Sequence, residues 1–268
     1  MDQPMPPGSR PAPPLSIERQ GHVAVLSFSR PPNNHLDRGL VIALAEALEG
    51  LDADAEVRVV VLAGAGRHFC AGADFSGGDS GGLDTPADQP GQTLYRQAAR
   101  LLRTKKPVVA AIQGAAIGAG LGLAVLADFR IGCAEARFAA NFTRLGFHPG
   151  FGLSATLPRL IGAQQASLLF YTGRRIDGAR ALQIGLIDEL VAQEAVLPAA
   201  IALAGEIALS QPQAVQSVRA TLRRGLADIF EQAIEREFEQ QLWQRRMEDF
   251  AEGRRAMAER RAPDFQGR

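Results

Sequence analysis

Two cysteines in 268 residues are too few to staple a fold, and Cys70 and Cys133 stand far apart without the CxxC spacing of a zinc site. Buried thiols in a reducing compartment are the expectation. An excess of one charge is also missing, since 29 Lys and Arg balance 29 Asp and Glu to a formal net charge of zero. Such a chain offers no electrostatic footprint for nucleic acid or an anionic membrane, so any phosphate must be met by local basic groups. No run of about 18 apolar residues occurs, and Met1-Asp2-Gln3-Pro4 does not open the basic-then-apolar pattern of a leader. These absences predict a cytoplasmic protein without membrane or nucleic-acid partners. The remainder is ordinary, 46% hydrophobic and 22% charged, enough for one large domain or a domain with an appendage.

The first 14 residues carry six prolines and little to bury, which predicts a disordered tail over residues 1–15. Val23 to Phe28 then reads as a strand, and Asp37 is placed to cap a helix bearing Leu40, Leu44, Leu48 and Leu51 at helical spacing. Val57 to Leu62, Pro107 to Ile112 and Phe129 to Cys133 are short apolar runs of the kind buried in a sheet, with a glycine-rich turn and helix over 117–127 between the last two. Ser76 to Pro90, rich in glycine and aspartate, reads as a loop suited either to covering a substrate or to a tolerated surface excursion. In the last third, Leu222, Leu226, Phe230, Ile234, Phe238 and Leu242 recur every fourth residue, marking a long amphipathic helix whose apolar stripe needs a partner, such as another subunit.

Two segments carry the strongest chemical signal, Phe69-Cys70-Ala71-Gly72-Ala73-Asp74-Phe75 and Gly114-Ala115-Ala116-Ile117-Gly118-Ala119-Gly120-Leu121-Gly122. Each brings unobstructed peptide N–H groups to a turn or helix start. Two such donors can hold one oxyanion, and a fixed donor of this kind is worth about 3 to 4 kcal/mol in enzymes where it has been removed. A dinucleotide-binding reading of Gly118, Gly120 and Gly122 fails, because the third glycine of G-x-G-x-x-G falls at Leu123.

Together with Arg30-Pro31 and Asn34, Val59-Val60-Val61-Leu62, Lys106-Pro107, Gln113-Gly114, Ala127-Asp128, Leu145-Gly146 with Pro149-Gly150, Tyr171-Thr172-Gly173-Arg174 and Ala181 to Ile187, these segments resemble the crotonase (enoyl-CoA hydratase/isomerase) superfamily from about residue 16 to the C-terminus. The resemblance implies an α/β fold, a spiral of repeated β-β-α units over 16–200 closed by a C-terminal helical trimerisation region over 201–268. It also implies a homotrimer or homohexamer, an acyl-CoA thioester substrate and no tightly bound cofactor, coenzyme A being part of the substrate. By position, the oxyanion donors are the backbone N–H groups of Ala73 and Ala119, and Ala71 and Phe75 flank the first of them. His35 falls in the loop that contacts coenzyme A in relatives, Asp74 anchors its loop, and Arg260 matches a lysine that reaches a neighbouring subunit's coenzyme.

The departures concern the chemistry. Hydratases of this superfamily place one glutamate three residues after the second donor and another about twenty residues later, and those positions hold Gly122 and Phe142. A further acid position after Pro149 holds Gly150 and Phe151. Hydration needs a group to activate water and one to protonate carbon, and such help is worth ~100 to 10,000-fold. The remaining polar candidates are His148, which can exchange protons near neutrality, Arg144, which suits a substrate carboxylate, and Asn141, which can orient a water. Each has a structural alternative: a packed histidine, an arginine tying neighbouring elements and an asparagine fixing a turn. Three functions stay open: an enoyl-CoA hydratase or isomerase, a thioester hydrolase or decarboxylase using the same oxyanion site, and an acyl-CoA binding protein without catalysis.

Overall fold

The computed structural model describes residues 15–73 and 94–268. The proline-rich tail, the 76–90 loop, Asp74 and Phe75 lie outside the described residues. β1 (Leu15–Gln20) and β2 (Val23–Phe28) pair antiparallel. From β2 the larger sheet continues in parallel through β3 (Val59–Gly64), β4 (Val108–Ile112), β6 (Phe129–Cys133) and β9 (Glu189–Val191). A smaller sheet holds β5 (Ala115–Ile117), β7 (Arg137–Ala139) and β8 (Ile176–Asp177) in that order. A parallel bridge from Cys70 to Ala116 brings the chain after β3 against β5.

Each turn of the spiral therefore lays one strand in the large sheet, one short stretch in the small sheet, and then a helix. After β3 and the Cys70 bridge comes α2 (Leu94–Leu102), after β4 and β5 comes α3 (Ala119–Leu126), and after β6 and β7 comes α4 (Leu153–Thr172). Val59-Val60-Val61-Leu62 and Val108-Val109-Ala110-Ala111 are buried along their whole length, which is why they read as continuous apolar runs rather than alternations. Helix α1 (Arg38–Ala53) starts where expected, with the Asp37 carboxylate accepting the Leu40 N–H at 2.8 Å and Leu40, Leu44, Leu48 and Leu51 buried. Two strands are shifted from their sequence limits: the run from Val57 begins as a strand at Val59, and that from Pro107 at Val108.

Beyond α5 (Gly178–Gln183) and α6 (Val196–Ala208), the C-terminal region departs from its sequence reading. The expected single helix is broken: α7 (Pro212–Leu222) ends, Gly225 turns with φ 76°, and α8 (Leu226–Gln244) begins. Leu226, Phe230 and Ile234 are not left for a partner, because α8 lies against α2 and α4 of its own chain and buries them there. Exposed apolar side chains of this region are instead Leu222, Ile229, Leu242 and Trp243. Helix α9 (Glu248–Ala258) packs on the 3₁₀ turn Asn141–Leu145. Asp128 ties α7 back to the sheet, accepting the Val108 N–H at 2.9 Å while pairing with Arg219 at 2.8 Å and Arg223 at 3.0 Å. No single helix among the described residues is long and apolar enough to cross a membrane.

Candidate active site

The site grows from the pairing of the two donor segments. The Cys70 N–H donates to the Ala115 carbonyl at 2.8 Å and the Ile117 N–H to the Cys70 carbonyl at 3.0 Å. Gly72, at φ 85°, and Gly120 make the approach close: a Cβ on Gly72 would fall 2.6 Å from the Ile117 oxygen, and one on Gly120 would strike the Cys70 carbonyl. The same Gly72 position lies 3.7 Å from the Ala119 nitrogen, so the residue before Ala73 touches the start of α3. Gly118 caps that helix without a side chain, leaving its first N–H groups to whatever enters. Among the described residues no acceptor meets the N–H of Ala73 or Ala119.

Both alanines line a cavity of about 680 Å³, whose other lining residues are of two chemical kinds. The polar and basic ones are His35, His68, Arg137 and Arg175, with Pro32, Ala71 and Ala115 also in the lining. His35 is fixed there by its Nδ1, 3.1 Å from the Gly72 carbonyl oxygen, and its Nε2, 3.3 Å from the Asn33 amide. Asn34 holds this loop, accepting the Arg30 N–H at 2.8 Å and donating to the carbonyls of Ala65 and His68. The Ala115 N–H points at His68 Nδ1 at 3.3 Å, and burial, with Arg67 close by, holds that imidazole below its ordinary pKa. The aromatic and apolar ones are Tyr95, Phe142, Leu145 and Phe147, and Asn141 also lines the cavity, as do Arg254, Met257 and Ala258 of α9.

Beside two of the positions that lack an acid, 122 and 150, the space is filled by aromatic rings. A Cβ on Gly122 would stand 2.6 Å from Phe151 Cδ1 and 2.9 Å from its Cβ, so the Phe151 ring occupies the space beside α3 into which a side chain at 122 would project. A Cβ on Gly150 would collide with the Tyr95 hydroxyl, and Tyr95 meets Phe151 edge to face at 6.5 Å. Tyr95 donates its hydroxyl proton to Gln241 Oε1 at 3.0 Å, and burial raises its pKa far above the ordinary phenol range. Among the described residues, no Asp or Glu lines the cavity. Among the described residues, the Glu237 carboxyl is pushed to about 7 by burial although it accepts the N–H groups of Gly152 and Ser154 and the Ser154 hydroxyl at the start of α4.

Of the residues singled out from sequence, Ala71, Ala73, Ala119, His35, Asn141 and Phe142 come together in this cavity. His148, Arg144 and Arg260 do not line it. The half-buried His148 is held to α8 by its backbone, the peptide N–H donating to Gln244 at 2.6 Å and the carbonyl accepting from Gln241 at 2.8 Å, while its ring Nδ1 lies 2.8 Å from the Pro149 carbonyl oxygen. Arg144 is exposed and donates to the Thr172 carbonyl at 2.9 Å, tying the 3₁₀ turn to the end of α4. Arg260 is exposed just past the end of α9. Sequence reasoning missed His68, Tyr95, Arg137, Arg175, Arg254 and Met257. The Cys70 thiol, wholly buried behind the site, is pushed up to about 12 by burial and is inert.

Ala73 and Ala119 thus line one cavity, each on a glycine-bearing turn, and two backbone N–H groups so placed are chemically able to hold an oxyanion. The enoyl-CoA hydratase/isomerase family model matches residues 18–268, and the chain belongs to that family. It is 32% identical over 255 residues to 2,3-dehydroadipyl-CoA hydratase of Escherichia coli, covering 95% of this chain and 99% of that protein. It is 34% identical to a probable enoyl-CoA hydratase of Bacillus subtilis, covering 94% and 98%. Among solved structures it is similar to an enoyl-CoA hydratase/isomerase from Pseudoalteromonas atlantica, with a TM-score of 0.84, 28% identity and coverage of 95% and 100%. Carnitinyl-CoA hydratase from Mycobacterium avium gives a TM-score of 0.83 at 31% identity, covering 95% and 99%.

Proposed function

We propose that this protein binds an acyl-CoA thioester, holds its carbonyl oxygen between the N–H groups of Ala73 and Ala119, and turns over the enolate or oxyanion so stabilised without carboxylate assistance. The observation that carries the reading is the pair of N–H groups, those of Ala73 and Ala119, that meet no acceptor among the described residues and belong to residues lining one cavity, with Phe151 in the space beside position 122. The guanidinium groups of Arg137 and Arg175 suit the coenzyme's phosphates, and the aromatic lining suits the acyl group. Coenzyme A is then part of the substrate, and no tightly bound cofactor is needed. Efficient water addition across an enoyl bond is not part of this proposal, because neither Gly122 nor Phe142 can activate water.

A second reading rests on the cavity having no acidic side chain among its described residues. Decarboxylation of a 2-carboxyacyl thioester requires no base: the carbon–carboxylate bond breaks, its electron pair moves into the thioester to form the enolate, and the two N–H groups hold the charge. Water then protonates the α-carbon. The same proposal includes a cytoplasmic homotrimer or homohexamer, supported by the exposed Ile229, Leu242 and Trp243.

The test is a panel of acyl-CoA thioesters followed by thermal unfolding and by turnover. A thioester that binds only the folded protein raises its midpoint by mass action, whereas the free acid does not. Crotonyl-CoA is expected to bind and to hydrate slowly, by orders of magnitude, relative to members bearing both glutamates. A flat midpoint across the whole panel defeats the reading.

A further inference from the structure

The chain is poor in aromatics, with 13 Phe, two Tyr and one Trp, or 6% of residues. Five of them stand at the cavity or against a ring that lines it, in two groups. Tyr95, Phe142 and Phe147 form its wall, and Phe151 and Phe250 stand directly behind. The rings interlock edge to face: Phe142 with Phe147 at 5.6 Å and 78°, Phe147 with Phe250 at 5.3 Å and 87°, Tyr95 with Phe151 at 6.5 Å and 90°. Arg254 lies over the Phe250 ring at 5.8 Å and closes the series from the α9 side.

Two details decide what this wall offers. The Phe142 Cζ atom lies 3.8 Å from the Cβ position at Gly118, so the tip of that ring abuts the turn whose next N–H, that of Ala119, faces the cavity. The Tyr95 hydroxyl is turned away toward Gln241 and Gly150, neither of which lines the cavity, so Tyr95 presents its ring rather than a hydrogen-bonding group. The wall thus offers aromatic side chains, Phe142 among them, beside the turn that leads into Ala119. Aromatic rings pair favourably with another flat ring, edge to face or offset, and gain less from a puckered alkyl group of the same volume.

We propose that the acyl group selected by this site is an aryl one, with the aromatic ring joined to the thioester carbonyl directly or through one or two carbons. Phe142 and Phe147 act as its specificity-determining residues. The inference rests on the acyl-CoA reading above, and the experiment separates the two. Calorimetric titration of the full-length protein with benzoyl-CoA, cyclohexanecarbonyl-CoA, hexanoyl-CoA and acetyl-CoA compares ligands that share the coenzyme and differ in the acyl group. The expected result is a dissociation constant for benzoyl-CoA about fivefold or more below that for cyclohexanecarbonyl-CoA, the size that one or two aromatic contacts supply. In Phe142→Leu, and separately in Phe147→Leu, each checked for a cooperative unfolding transition, this ratio falls toward one. Equal affinity for the two ring thioesters in the wild type overturns the inference and leaves the acyl-CoA reading standing. A ratio that survives in both variants overturns the assignment to these two rings. Absence of binding by all four thioesters overturns both.

Discussion

The ring beside position 122 makes a prediction whose sign depends on a second residue. Gly122 lies inside α3, where replacing glycine by alanine at an unobstructed site favours the helix by about 1 kcal/mol. Here the added methyl would stand 2.6 Å from Phe151 Cδ1, and Phe151 is fully buried with no open side to retreat into. Overpacking of this kind costs about 1 to 3 kcal/mol, so Gly122→Ala is expected to be neutral to destabilising by about 2 kcal/mol. In a Phe151→Ala background, itself weakened by about 3 to 5 kcal/mol through loss of a buried ring, the obstruction is gone and the same change is expected to stabilise by about 1 kcal/mol. The coupling between the sites is the difference, about 1 to 3 kcal/mol, within the range found for residues in contact. Urea unfolding of the four proteins at one protein concentration measures it, with the slope of each transition compared so that only shifts at constant slope are read as stability. If Gly122→Ala stabilises both backgrounds equally, Phe151 does not occupy the space beside residue 122, and the structural reason given for the missing acid is wrong.

Asp37→Ala should cost about 1 kcal/mol, because its carboxylate is the only side chain capping the start of α1, and Asp37→Asn should restore most of that in thermal or urea unfolding. Tyr95→Phe should destabilise by about 1 to 3 kcal/mol by leaving the buried Gln241 Oε1 without its donor; an unchanged midpoint would show that this bond is not made. Glu237 titrates near 7 in the folded protein and near 4.5 unfolded, so between these values the folded state holds a proton that the unfolded state has released. Its contribution is full below about pH 4.5 and is lost as pH rises through 7, by up to about 3 kcal/mol, and Glu237→Gln should flatten that part of the stability–pH curve.

The parts legible in the sequence are those in which one local pattern decides the outcome. Val23–Phe28 and Phe129–Cys133 form strands with the expected limits, and Asp37 starts its helix, because apolar runs and a capping carboxylate act within a few residues. The close approach of the segments that hold Gly72 and Gly120 is local in the same way, since only glycine fits at 72 and 120 when two backbones come that near. The C-terminal stripe misled because periodicity reports that a face is buried without saying by what. Leu226, Phe230 and Ile234 found α2 and α4, helices that lie far enough back in the chain that no local window of sequence contains the contact. His148 misled in a related way, since its proximity in sequence to the pocket-forming turn says nothing of its direction, and Gln244 and Gln241 draw its backbone toward α8.

Helix α8 explains why the aromatic lining of the cavity is hard to read from the segments that carry it. Its Gln241 receives the Tyr95 hydroxyl and donates to the His148 carbonyl, its Glu237 caps α4 one residue beyond Phe151, and its Phe230 packs where a Cβ on Gly152 would stand. Arg96 with Glu235 at 2.7 Å and Arg103 with Glu231 at 2.6 Å add two exposed links between α2 and α8, each a small contribution beside the buried ones. Neither Gln241 nor Glu237 touches the cavity, yet the two of them fix where Tyr95 and Phe151 stand, and those rings take the places left by the side chains missing at 150 and 122. Reintroducing an acid at position 122 therefore requires more than one substitution: the ring must leave first, and the groups on α8 that hold it decide whether it can.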